Sequence, residues 1–88
     1  MKSENHLTIT GTVITDLNPI PGKSFVRFRI AHYFVGGKKP LFLDCVQIIK
    51  PGTESQTPRK GDVVRVCAYL QMRADHIVAV VKSLDIEP

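Results

Sequence analysis

Polar and apolar residues alternate along most of the chain, and the alternation divides it into five predicted strands. Period-2 alternation sends successive side chains to opposite faces of a sheet. Residues 6–15 form the first strand, with Leu7, Ile9 and Val13 on one parity and Thr8, Thr10 and Thr12 on the other. Gly11 falls on the apolar parity, where a missing side chain marks a bulge or a bend. Residues 25–33 form the second strand. Val26, Phe28 and Ile30 face a core there, and Phe25, Arg27, Arg29, Ala31 and Tyr33 face away. The third, residues 41–49, is apolar nearly throughout, as in a strand buried or contacted on both sides. The fourth starts at Gly61-Asp62 and alternates most cleanly. Val64, Val66, Ala68, Leu70 and Met72 stand against Arg65, Cys67, Tyr69, Gln71 and Arg73. Ala74-Asp75 supplies a tight hairpin turn, and residues 76–86 return as the fifth strand.

The connections are rich in breakers. Asn18-Pro19 and Pro21-Gly22 make residues 16–22 a loop, and Gly36-Gly37-Lys38-Lys39-Pro40 is a basic turn. Residues 50–61 show no apolar periodicity. Pro51, Gly52, Pro58 and Gly61 leave little room for a helix, so this stretch is expected to be a surface loop. No internal linker or repeat divides the chain, so residues 1–88 form a single domain. Five strands with little or no helix must cover a small core by closing on themselves. Strands near ten residues long, with bends, favour an all-β, partly open five-stranded barrel over the shorter-stranded SH3-like barrel.

Composition narrows the function. A hydrophobic content of 43% is that of an ordinary globular protein. No apolar run approaches the ~20 residues that cross a bilayer, and the polar N-terminus lacks the apolar segment of a signal peptide. A soluble, cytoplasmic protein without a membrane partner is expected. Cys45 and Cys67 lie inside strand patterns and read as structural thiols rather than a redox pair or metal knuckle. The net charge is +4, and its placement is uneven. Between Lys23 and Arg73 stand ten Lys and Arg residues against Asp44, Glu54 and Asp62 alone. A basic middle with acids pushed towards the ends suits a polyanionic partner.

Single-stranded nucleic acid needs a basic track for phosphates and aromatic faces for bases. Candidate stacking residues are Phe25, Tyr33, Phe34, Phe42 and Tyr69, whereas Phe28 belongs to the core. Candidate phosphate contacts are Lys23, Arg27, Arg29, Lys38, Lys39, Arg65 and Arg73. An enzyme finds no support. His6, His32 and His76 are scattered, and Asp44-Cys45 has no motif around it. Gly36-Gly37-Lys38 lacks the spacing of a phosphate-binding loop. No catalytic residue, metal or cofactor is expected.

Three stretches carry a family resemblance. The run from His6 to Gly11, the run from Gly22 to Ala31 and Lys60-Gly61-Asp62-Val63-Val64-Arg65-Val66 resemble, in order and spacing, strands one, two and four of the bacterial single-stranded DNA-binding proteins. The primosomal replication protein N group is nearly as similar. The resemblance implies a Greek-key OB-fold barrel whose second and third strands bind oligonucleotides. It puts Phe42 at the place of a stacking tryptophan, Ile48 at that of a second aromatic and Arg27 and Arg29 in the groove. Tyr69 falls near the outer end of the fourth strand. It further implies single-stranded DNA or RNA as partner in replication, repair, recombination or mobile-element maintenance. A homo-oligomer, dimer or tetramer, paired through the first strand is implied as well. The alternative it implies is a primosome-type adaptor that binds replication proteins and touches nucleic acid only secondarily. The sequence departs from the family in having no tryptophan and in replacing the helix after the third strand with residues 50–61. The long hairpin arm is expected to be reduced to Ala74-Asp75, and the recruiting role of the family's acidic tail tip is not expected here. Weaker binding than that of a full-sized member is therefore expected.

Overall fold

β-branched residues on alternating parity build six strands in the computed structural model, which describes residues 5–19, 24–48 and 57–88. They are β1 Leu7–Val13, β2 Asn18–Pro19, β3 Phe25–His32, β4 Leu41–Ile48, β5 Val63–Arg73 and β6 His76–Ile86. The five expected strands are all present. The two-residue β2 is an addition, made where Asn18 and Pro19, inside the expected loop, pair with Arg27 and Val26 of β3. The second strand stops at His32, one residue short of Tyr33, which belongs to the following loop. The expected Pro21-Gly22 turn and residues 50–56 of the expected loop lie outside the described residues.

The sheet runs in the order β1-β5-β6-β4-β3-β2 and closes through a further β1–β3 pairing. All neighbours are antiparallel except β4 and β6, which run parallel over Cys45–Ala79, Val46–Val80 and Gln47–Val81. This is the OB-fold barrel. Its closure depends on β1 changing partner. Leu7 to Thr12 pair with β5, and Thr12 and Val13 pair with Ala31 and Ile30 of β3. Gly11 is the corner, and the β1 ladder passes through it without a bulge. Beyond the two paired residues the seam is held by Ile14 N–H donating to the Arg29 carbonyl (2.9 Å) and Arg29 N–H donating to Thr15 Oγ1 (3.0 Å). His32 Nδ1–H donates to the Thr10 carbonyl (2.7 Å) where the two backbones diverge.

Val13, Phe28, Ile30, Cys45, Val64, Val66, Ala68, Ala79 and Val81 form the core, flanked by Ile9, Leu17, Val26, Leu43 and Leu84. Cys45 is buried, and burial, followed by the neighbouring Asp44 carboxylate, pushes its thiol pKa up to about 12. A thiol held so high stays protonated at neutral pH, in keeping with a packing role. Pro58 is fully buried too, so the stretch before β5 is not surface throughout as the composition suggested. The turn after it is tied to the barrel: Gly61 N–H donates to the Val13 carbonyl and Val13 N–H to the Asp62 carbonyl, each at 2.8 Å. Gly61 takes φ +97° as the third residue of that turn, a conformation of type II turns that favours glycine.

The β5–β6 hairpin is longer than its turn suggests. Pairing continues to Arg73 and His76, so the turn is the expected Ala74-Asp75. The β1 ladder on β5 ends at Ala68, and Asn5 extends it with its side-chain amide, giving and taking one hydrogen bond each with Leu70 (2.6 and 2.8 Å). Past that point Met72 and Ile77 keep the core-facing parity yet are 66% and 53% exposed. The two strands therefore project beyond the barrel as an arm. Ala74 at its tip has φ +52°, a region that costs a non-glycine residue about 1–2 kcal/mol. Ala74→Gly removes that cost and concedes about 0.4–1 kcal/mol of unfolded-chain entropy. A net gain of about 0.5 kcal/mol is expected, read as a higher urea midpoint at unchanged m. A lower midpoint would mean that the tip is unstrained.

Candidate nucleic-acid interface

The outward parity of four adjacent strands defines one continuous face. Arg27 of β3 stands opposite Val46 of β4, Val46 beside Val80 of β6, and Val80 opposite Tyr69 of β5. Phe25 and Ile48 flank that row as one cross-strand pair, Arg29 and Asp44 as another, and Ala31 and Phe42 as a third. Val46, Val78 and Val80 are buried although they point outward. The burial on both sides expected of the third strand is met at its centre, at Cys45 and Val46, but not at Leu41, Phe42 and Ile48, which are exposed. The result is an apolar floor edged by cations and aromatics.

The predicted residues divide into those on this face and those elsewhere. Phe25, Arg27, Arg29, Phe42, Tyr69 and Arg73 share its parity, and so does Ile48. Phe42 is 56% exposed, so its ring is free to meet a ligand, whereas Phe28 is in the core as expected. Tyr33 (67% exposed), Phe34, Lys38 and Lys39 lie in the loop after β3, at the end of the hairpin where Phe42 sits. Phe34 is held edge-on against His32, 4.8 Å between ring centroids. Arg65 stands between Thr10 of β1 and Asp85 of β6, on a different part of the barrel wall. Lys23 lies outside the described residues.

Arg29 is not a free cation. Its Nε–H donates to Asp44 Oδ1 at 2.7 Å, and this hydrogen bond, with the carboxylate charge, raises the guanidinium pKa. The pair is cross-strand and solvent-exposed, a geometry that adds little to stability. Arg27, by contrast, has no carboxylate partner among the described residues and borders two clefts. One, about 340 Å³, is lined by Thr15, Asn18, Arg27, Phe28, Arg29 and Asp44. The other, about 230 Å³, is lined by Arg27, Val46, Arg73, His76 and Val78.

Lys82 escaped the sequence reading. The β5–β6 ladder slips between Cys67–Ser83 and Ala68–Val81, leaving Lys82 unpaired in a bulge. Its ammonium lies 5.6 Å from the Tyr69 ring centroid, within cation–π range. A cation beside an aromatic on an exposed face is the arrangement sought along the chain. Only the bulge brings these two together, and nothing in the local pattern marks it.

No family model and no curated protein sequence matches the chain. Solved structures do. The N-terminal domain of the PriB protein from Thermoanaerobacter tencongensis, a dimeric structure, superposes with TM-score 0.78 at 17% identity, covering 96% of this chain and 97% of that one. A mitochondrial single-stranded DNA-binding protein from S. cerevisiae gives 0.75 at 17% identity, covering 97% and 95%. The second single-stranded DNA-binding protein from Mycobacterium smegmatis gives 0.75 at 18% identity, covering 97% and 90%. The likeness is one of fold, over the full length of the domain.

Proposed function

We propose that this protein binds single-stranded DNA across the β3–β4–β6–β5 face, in support of replication, repair or recombination. The observation that carries the reading is the row from Arg27 over Val46 and Val80 to Tyr69, with Phe25, Phe42, Arg73 and Lys82 around it. Unpaired bases can stack on the exposed Phe42 ring and the half-buried Phe25 and Tyr69 while phosphates follow the cations, and neither contact depends on sequence. Structural likeness to single-stranded DNA-binding proteins supports the same reading. Assembly as a homo-oligomer through β1 belongs to it. The β1 edge opposite β5 pairs with β3 only at Thr12 and Val13, and His32 takes the Thr10 carbonyl, which leaves Leu7 to Ile9 an edge for a second copy.

Fluorescence anisotropy with labelled dT oligomers and matched duplex tests the proposal. Salt-sensitive binding of the oligomer and weaker binding of duplex are expected. Phe42→Ala should weaken oligomer binding about tenfold with the fold intact, the scale of one lost stacking contact. No binding to either ligand at low salt would sink the proposal, and equal affinity for duplex would reduce it to nonspecific charge attraction.

A second reading has its own support. Leu70, Met72 and Ile77 expose an apolar face on the projecting arm, and such a face suits a protein partner better than a polyanion. The PriB likeness agrees with an adaptor of that kind. In that case Met72→Lys would abolish partner capture and leave oligomer binding in place.

A further inference from the structure

The acid on the binding face is unexplained by the reading above. Asp44 sits on the outward parity between Phe42 and Val46, where a negative charge repels phosphate. Its exposed pair with Arg29 contributes little to folding. Its surroundings are built for hydrogen bonding rather than for charge alone. The 340 Å³ cleft it lines lies at the small end of ligand pockets, suited to one base rather than a length of strand. Phe28, whose side chain belongs to the core, lines the cleft from β3, and β2 brings Asn18 to its rim opposite Arg27. Asp44 Oδ1 accepts from Arg29 and keeps a second lone pair, and Oδ2 has no donor among the described residues. Thr15 Oγ1 accepts from Arg29 N–H, so its own O–H remains free to donate. Asn18 offers both a donor and an acceptor, with no side-chain partner among the described residues.

We infer that this cleft reads one unstacked base of the bound strand and selects guanine. The inference rests on the single-strand reading above. Guanine is the base whose Watson–Crick edge carries two neighbouring donors, N1–H and the N2 amino group, which together match the two oxygens of a carboxylate. Its O6 acceptor lies beside them and meets the donors of Thr15, Asn18 or Arg29. Thymine sets two carbonyl oxygens around its single N3–H and pushes at least one against the carboxylate. Adenine and cytosine each pair one amino group with a ring-nitrogen acceptor that faces the second carboxylate oxygen. Bases in a single strand expose these edges, as bases in a duplex do not. Asp44 thereby forgoes some phosphate attraction and gains selectivity, and Arg29 fixes its carboxylate in position.

Anisotropy with dT oligomers, and with the same oligomers carrying isolated dG, dC or dA, tests this on the intact protein in lithium buffer, which suppresses quadruplexes. The dG strands are expected to bind about fivefold to tenfold tighter than dT, the lower end of the scale of one good bidentate base contact, while dC and dA bring no gain. Asp44→Asn should erase the dG preference and at the same time tighten dT binding, because Arg29 is released to phosphate. Asn18→Ala, at an exposed residue outside the core, should lower the dG-to-dT ratio and covers the case in which Asp44→Asn folds poorly. Equal affinity for dG and dT strands, or a preference that survives in Asp44→Asn, overturns the inference while single-strand binding stands. Failure of every strand to bind would instead overturn the reading beneath it.

Discussion

Gly11→Ala is expected to lower stability by about 2–3 kcal/mol, the upper part of the range for overpacking a filled site. A Cβ on Gly11 would lie 2.9 Å from the Ala31 carbonyl oxygen, 3.3 Å from its carbonyl carbon and 3.2 Å from Ile30 Cδ1. Two of those three atoms are backbone and cannot turn aside. They belong to β3 at the barrel seam, where only Thr12–Ala31 and Val13–Ile30 pair. Forcing β1 and β3 apart there therefore strikes the shortest paired register between neighbouring long strands. The entropic gain of replacing glycine by alanine, about 0.4–1 kcal/mol, is too small to compensate. For a domain of this size a fall in Tm of about 10–20 °C follows. Adding Ile30→Val removes the one yielding contact, so a double-mutant cycle should recover only a minor part of the loss. A Gly11→Ala protein within about 0.5 kcal/mol of the wild type would show that the seam can open, and the account of closure would fall.

The seam marks the boundary of what could be read from the sequence. Parity is local, so the core set Phe28, Ile30, Val64, Val66 and Ala68 and the outward set Phe25, Arg27 and Arg29 were legible from alternation alone. That a missing side chain at Gly11 marks a bend was legible too, but not the backbone it makes room for, since Ala31 lies twenty positions away. Register was not legible, because long-range pairings and bulges set it rather than local residue types. That is why Arg29 looked like a free cation until Asp44 proved to stand opposite it. It is also why Arg65, on the same parity as Tyr69 within β5, proved to stand away from the Arg27 row. The arm was hidden for a related reason. A two-residue turn looks like a short hairpin unless one knows where β1 and β4 stop pairing with its strands. Lys82 depends on the bulge and carries no mark in the local pattern.

Raising salt from about 50 to about 200 mM is expected to weaken oligomer binding roughly 50-fold, if about four phosphates are neutralised and each contributes about 0.7 to the slope. The face supplies cations for that number. Arg27, Arg73 and Lys82 stand on it, and Lys38 and Lys39 lie in the loop beside Phe42. Arg29 is discounted, because a phosphate would have to compete with a carboxylate already 2.7 Å from its Nε. Arg27 holds the central place, bordering both clefts at the head of the row that crosses to Tyr69. Arg27→Ala should therefore reduce the magnitude of the log–log slope by about 0.7 to 1, one phosphate's share. Arg65→Ala, between Thr10 and Asp85, should change it less. The comparison separates a track from a diffuse field. Removing either positive charge lowers the net charge of +4 by the same amount, so a purely global attraction would respond equally to both. A strand lying along β3 and β4 responds to Arg27. Equal slopes for the two variants would mean that the strand does not follow this face, whatever its affinity.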